Sequence, residues 1–255
     1  MIKHIRTIAY YTLLEALRNR LVWLMVIVAC AAVGLSGFLN ELALTEKREV
    51  QLTILAAVLR ISTVLLLAIF VVSSMVREFN DKGLELVLAL PLKRASYLLG
   101  KLVGFTVLAT LMATLSGMLI ALQAAPEQSL IWTISLIFEC WIVTAFSVLC
   151  VLTYNQVMAA LSSVLGFYFV ARSITVLELI SNQPLNENSA SQRIIHTMIE
   201  CLSAVLPHLD NFARSDWLIY DAGNWHAVVQ LVVQTGIYLV LLSSAAMFDL
   251  YRKNI

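Results

Sequence analysis

Six stretches of mostly apolar residues divide this chain, each long enough for the ~20-residue helix that crosses a bilayer. They fall at roughly 21–39, 53–76, 98–123, 129–153, 156–180 and 226–248. Ahead of them, Ile2, Ile5, Ile8/Ala9, Leu13 and Ala16/Leu17 recur at helical spacing, while Lys3, Arg6, Glu15 and Arg18 fall largely elsewhere. That is the pattern of a helix lying in the membrane interface and leading sideways into the first span, here residues 1–20. Between the last two apolar runs, residues 181–225 are polar enough to lie outside the bilayer. They still carry a helical period in Ile194, Ile195, Met198, Ile199, Leu202 and Val205/Leu206. An amphipathic or partly re-entrant helix over 191–206 is expected there, covering the outer mouth of the bundle as a cap or a gate.

Composition supports the same class. Sixty per cent of the 255 residues are hydrophobic and 13 per cent charged, and the mean hydropathy is +0.87. Too little polar surface remains to cover a soluble globule. The fold class predicted is an all-α polytopic integral membrane protein with six transmembrane helices, forming one domain over 1–255. The stretch Ile27-Val28-Ala29-Cys30 resembles a lipoprotein cleavage box, but the polar lead is long and apolar sequence continues to Leu39, so no cleavage is expected. Cys30, Cys140, Cys150 and Cys201 form no CxxC pair and imply neither a disulfide framework nor a thiolate metal site.

The net charge of +1 is uninformative, but its placement is not. Lys3, Arg6, Arg18 and Arg20 precede the first span; Arg77, Lys82, Lys93, Arg94 and Lys101 mark the second-to-third connection; Arg252 and Lys253 end the chain. The opposite connections hold only Lys47, Arg48, Arg193 and Arg214. Basic residues stay on the cytoplasmic side, so both termini and the 77–97 loop are expected there, in agreement with an even number of spans.

That loop is the least membrane-like part of the chain. Gly83 lets the chain turn, Pro91 ends any helix before it, and the residues Leu84 to Leu90 suffice for about two turns. Leu84, Val87 and Leu88 would share one face, with Glu85 on a neighbouring one. Two arrangements fit the spacing. The short helix can seat in the groove of a partner, oriented by Arg77, Glu78, Glu85, Lys93 and Arg94, or its leucines can dip back into the membrane.

The order Arg77-Glu78, Gly83-Leu84-Glu85, Leu88-Ala89-Leu90-Pro91-Leu92-Lys93-Arg94 and Tyr97-Leu98-Leu99-Gly100-Lys101 resembles the signature of ABC transporter permeases of the type-2 class. In those, Arg-Glu after the second span leads through Gly-x-Glu and Leu-Leu-x-x-Pro-x-x-Arg to a Gly-Lys opening the third. The likeness extends over the chain to a short fourth-to-fifth turn at Tyr154-Asn155-Gln156. Leu206-Pro207-His208-Leu209-Asp210-Asn211-Phe212 is also similar to a family Leu-Pro-x-Leu-x-x-Phe turn. Within the class, the chain resembles the branch containing the permease of nitrous-oxide-reductase maturation.

The resemblance implies a permease, of exporter type, in a prokaryotic inner membrane. Its coupling helix would hold the ATPase through Glu78, Gly83, Leu84, Glu85, Val87, Leu88, Pro91 and Arg94. Two copies, or one copy with a related permease, would pair with two ATPase subunits that bind ATP and Mg. This chain would carry no cofactor and no catalysis of its own, and it contains no GxxxxGK[ST] phosphate loop. Membrane lipid is the other expected partner, and no nucleic acid is expected. Fifth-span packing at a dimer axis also follows from the resemblance, through Ala159, Ser162/Ser163 and Gly166.

Arg60, Glu139 and Arg172 lie inside the spans, where charge costs ~2.5–3.5 kcal/mol or more. Counted from the hairpin near Asn155, Glu139 and Arg172 lie at similar depth, roughly 24–26 Å up adjacent helices, so an ion pair between them is expected, with Arg60 able to join. Two roles fit it: locking helices together, or contacting an anionic or amphiphilic substrate. Gly100-x-x-x-Gly104 marks a close-packing stripe whose partner the spacing leaves open. His196, Cys201, His208 and His226 with Met198 show no ligand spacing, so no metal is expected. A membrane-embedded enzyme is the rival class, yet no paired aspartates, HExxH or Ser–His set occurs in the spans. A permease that transmits force to an envelope partner without moving cargo fits the same sequence.

Overall fold

A computed structural model describes residues 2–19, 21–42, 47–80, 94–154, 156–181 and 190–252. Among these, every regular element is helical. The helices are α1 (Ile2–Arg18), α2 (Leu21–Leu42), α3 (Lys47–Asn80), α4 (Arg94–Ala121), α5 (Pro126–Tyr154), α6 (Val157–Ser181), α7 (Ala190–Val205), α8 (Asp216–Tyr220) and α9 (Trp225–Arg252). A 3-10 turn, Leu209–Asn211, lies between α7 and α8.

Five of these helices, α3, α4, α5, α6 and α9, are long and apolar enough to cross a membrane. A sixth candidate is α2 together with α1, which meet at a bend of 55°. The chain is therefore a multi-pass helical membrane protein. Its helices overrun several of the apolar runs. α3 reaches from Lys47 to Asn80 and α9 to Arg252, because polar ends can continue a helix into the headgroup region while hydropathy marks only its apolar centre. α4 begins at Arg94 and stops at Ala121, before a turn over 122–125.

α5 is the hub, packed against α3, α4, α6, α8 and α9. Two-thirds of its apolar window is buried (67%), against 22% for α9 and 28% for α6. Met158, Phe169, Val176 and Ile180 of α6 and Val229, Val233, Ile237 and Phe248 of α9 are exposed. Faces this large and apolar belong against lipid or another protein surface.

Hydroxyls inside the spans are absorbed locally. Thr63, Thr133, Thr144 and Ser147 each donate to a carbonyl one turn earlier, at 2.6 to 2.7 Å, which keeps them satisfied without water. Others join helices: Thr63 and Ser116 share a hydrogen bond of 2.7 Å between α3 and α4, and Trp141 Nε1 donates to Thr110 Oγ1 at 3.0 Å between α5 and α4.

The Gly100-x-x-x-Gly104 stripe has its partner within the chain. It receives α1, so that a Cβ placed on Gly104 would meet Thr12 Cβ at 2.8 Å and the Ala9 carbonyl at 3.1 Å. Thr12 and Ala16 are buried in this contact. The small-residue stripe of α6 behaves differently. Ser162 and Gly166 are exposed, and nothing lies within 4 Å of a Cβ built on Gly166.

Gly104→Val is expected to lower stability by about 1–3 kcal/mol, the cost of overpacking a close contact, whereas Gly34→Val, with open space around it, should leave it within about 0.5 kcal/mol. Thermal unfolding in detergent distinguishes the two.

Candidate functional site

Polar side chains gather at two places, near opposite ends of the bundle. The first lies at the ends of the 81–93 connection. Glu15 of α1 accepts from Arg77 at 2.5 Å and from the Ser74 hydroxyl at 2.7 Å, both on α3, and lies 3.8 Å from Lys101 Nζ on α4. Lys101 in turn pairs with Glu78 at 2.5 Å. Although it opens a membrane helix, Lys101 is buried, with its ammonium 5.8 Å from the centre of the Phe105 ring. Tyr97 is buried beside Glu78. Two acids and two bases thus form a neutral cluster that ties three helices together.

The same end is closed by two further links. Arg94 donates to the Leu250 carbonyl at 3.3 Å, a cation on the carbonyl end of α9. Thr153 donates to Asp249 Oδ2 at 2.7 Å, joining α5 to α9. Of the residues assigned to the coupling segment, Glu78 and Arg94 therefore sit in this framework. Gly83, Leu84, Glu85, Val87, Leu88 and Pro91 lie outside the described residues.

The second place is the intramembrane charge site, and the three residues expected there do converge. Arg172 Nη1 lies 3.2 Å from Glu139 Oε1, across the α5–α6 hairpin. Both stand fifteen residues from the hairpin ends, Tyr154 and Val157, which at 1.5 Å per residue is roughly 22 Å. Arg60 of α3 faces the same carboxylate, as does Tyr168 of α6. Glu139 is fully buried, whereas Arg172 retains 19% side-chain exposure.

What spacing did not reveal is the third party to this contact. The chain segment after α7 turns into the bundle, and its backbone carbonyls lie on the two guanidiniums. Arg172 donates to the carbonyls of Leu209 at 2.5 Å and Phe212 at 2.9 Å. Arg60 donates to that of Ala213 at 2.9 Å, which Trp132 Nε1 also reaches at 3.1 Å. The Ala213 amide donates to Ser135 Oγ at 2.8 Å. Leu209, Phe212 and Ala213 are fully buried, and Ala213 holds a left-handed φ of 44°, a conformation costing a non-glycine residue roughly 1–2 kcal/mol. The turn that resembles a family motif is thus a plug seated on Arg60, Arg172 and the helices α3, α5 and α6.

Further along, Gln128 on α5 fastens the next loop. Its amide donates to the carbonyls of Asp221 and Gly223 at 3.3 and 3.4 Å and accepts from the Gly223 amide at 3.0 Å. The loop histidines are spread out. His196 lies 3.8 Å from Glu200, His208 faces Ser203 at 3.4 Å, and His226 is exposed.

No family model matches this chain, and no curated protein matches it. The functional reading rests on its residues and their geometry.

Chemically, the site holds backbone and carboxylate oxygens through Nη1 of each guanidinium. Arg172→Gln should destabilise the protein by about 3–5 kcal/mol, because it leaves Glu139 short of its cation and two carbonyls without a donor. Adding Glu139→Gln should recover at least about 1 kcal/mol of that loss, a coupling that a double-mutant cycle of unfolding free energies measures.

Proposed function

We propose that this chain is the membrane-spanning permease subunit of an ATP-binding-cassette transporter of exporter type. It sits in a prokaryotic inner membrane with both termini cytoplasmic. In this reading, α1 lies along the cytoplasmic interface, and residues 83–91 form the coupling helix on a separate ATPase. Two ATPase subunits bind ATP and Mg, and two permease chains, or one with a related permease, complete the assembly. Residues 181–225 stand on the extracytoplasmic side, their turn capping the bundle.

The observation that carries the reading is how the coupling segment is anchored. The helix entering it carries Arg77 and Glu78 in its last turn, the helix leaving it begins with Arg94, and every one of these is bonded into the bundle through Glu15, Lys101 or the end of α9. A push delivered at these flanking residues would reach α1, α3, α4 and α9 through these bonds. That is the requirement for a partner's conformational change to bias a two-state bundle. The order Arg77-Glu78, Gly83-x-Glu85, Pro91 and Arg94 supports the same reading by resemblance. On the far side, the seated 207–213 turn would have to lift from Arg60 and Arg172 for the bundle to open outward.

Affinity purification of the tagged chain in mild detergent tests the proposal. Wild type is expected to bring down an ATP-hydrolysing subunit, and Glu85→Arg and Leu88→Asp, inserted normally, to lose it by at least about tenfold, since an unpaired charge at a docked face costs several kcal/mol. A wild-type chain that retains no ATPase under any mild condition would contradict it. Lys101→Met should keep the ATPase bound while lowering transport, read as substrate moved per ATP hydrolysed in proteoliposomes.

A further inference from the structure

One feature of α1 is not used by the coupling arrangement. Beside its contact with α4 runs a trough of about 810 Å³ whose floor and walls include Ile5, Ala9, Leu13, Val103 and Val107. Val103 and Val107 are exposed on the outer surface of α4, so the trough opens sideways, where a membrane protein meets acyl chains. Its lining also includes Arg6 and Tyr10. Arg6 is exposed and makes no ion pair among the described residues, unlike Arg77, which is held by Glu15. Tyr10 and Tyr11 stand edge to face at 6.0 Å with both rings exposed, the placement of aromatic side chains at a headgroup layer.

We infer that the trough between α1 and α4 is a binding site for one anionic phospholipid. An acyl chain lies along Ala9, Leu13, Val103 and Val107, and the phosphate is held by the Arg6 guanidinium with the Tyr10 hydroxyl as second donor. The charge argument selects the occupant. A cation at the rim of an apolar channel, in a chain whose first twenty residues hold Lys3, Arg6, Arg18 and Arg20 against the single acid Glu15, favours an anionic headgroup over a zwitterionic one. A planar guanidinium also matches phosphate oxygens geometrically. The volume suits a lipid chain and lies within the usual range for small-ligand sites. Because α1 is bound to α4 through Gly100 and Gly104 and to Arg77 through Glu15, a lipid seated here fills one open flank of that helix.

The test is lipid retention by the purified chain, measured by native mass spectrometry after incorporation into nanodiscs of phosphatidylglycerol and phosphatidylcholine in equal amounts. Wild type is expected to keep one phosphatidylglycerol. Arg6→Gln should reduce that retention roughly tenfold, as loss of a charge-assisted hydrogen bond predicts, and Arg6→Lys should restore part of it. Val107→Trp, which fills the trough at an exposed position and leaves the buried packing intact, should reduce it as well. Arg214→Gln, in the loop after the plug, should leave retention unchanged. Equal retention of the two lipids by wild type would overturn the inference. So would unchanged retention in Arg6→Gln, or loss in Arg6→Gln with none in Val107→Trp, which would mark a surface charge without a trough.

Discussion

The end of the bundle away from the 81–93 connection depends on two half-buried guanidiniums and what they hold. Non-helical backbone at membrane depth exposes carbonyls that no water satisfies, and such backbone persists only inside protein, with its polar groups paired. The 207–213 turn meets that condition through Arg172 on Leu209 and Phe212, and through Arg60 and Trp132 on Ala213. The same contact answers the opposite difficulty. Two arginines and one glutamate inside spans would be costly, yet the carboxylate and the carbonyl dipoles face both cations at once.

The other end is built on different terms. There Glu15, Arg77, Glu78 and Lys101 balance their charges within one cluster, in which Lys101 is buried against Glu78 and the half-exposed Arg77–Glu15 pair contributes less than about 1 kcal/mol. Such a cluster specifies geometry more than it stabilises. It orients α1, α3 and α4 around the connection between them, while α5 runs through the centre of the bundle and carries Glu139 toward the far end and Thr153 at the near one. The foot and the seated plug are thus joined by one central helix.

Much of this was legible in the sequence, for identifiable reasons. Apolar runs of sufficient length declare membrane helices because lipid admits few alternatives. The Glu139–Arg172 pair could be found by counting from the hairpin, since a helix converts residue number to depth. Arg60 followed from its place near the outer end of its span. The partner of Gly100 and Gly104 was not legible, because a small-residue stripe announces close approach without naming the helix that approaches. Nor were the acceptors on Arg172: carbonyls of Leu209 and Phe212 belong to the backbone and leave no mark in residue identity. Glu15 and Lys101 were both visible as charges, but they lie 86 residues apart, and only the packing of α1 on α4 brings them near.

The most direct test of the seated plug is hydrogen exchange across residues 207–214 in nanodiscs, with the Ala213 amide as the reporter. Its bond to Ser135 inside the bundle predicts exchange slowed by orders of magnitude, matching the amides of α5 rather than that of exposed Ala222. Exchange of Ala213 at the rate of a solvated loop would contradict the account, because the carbonyls of its neighbours would then be held by water and not by Arg60 and Arg172.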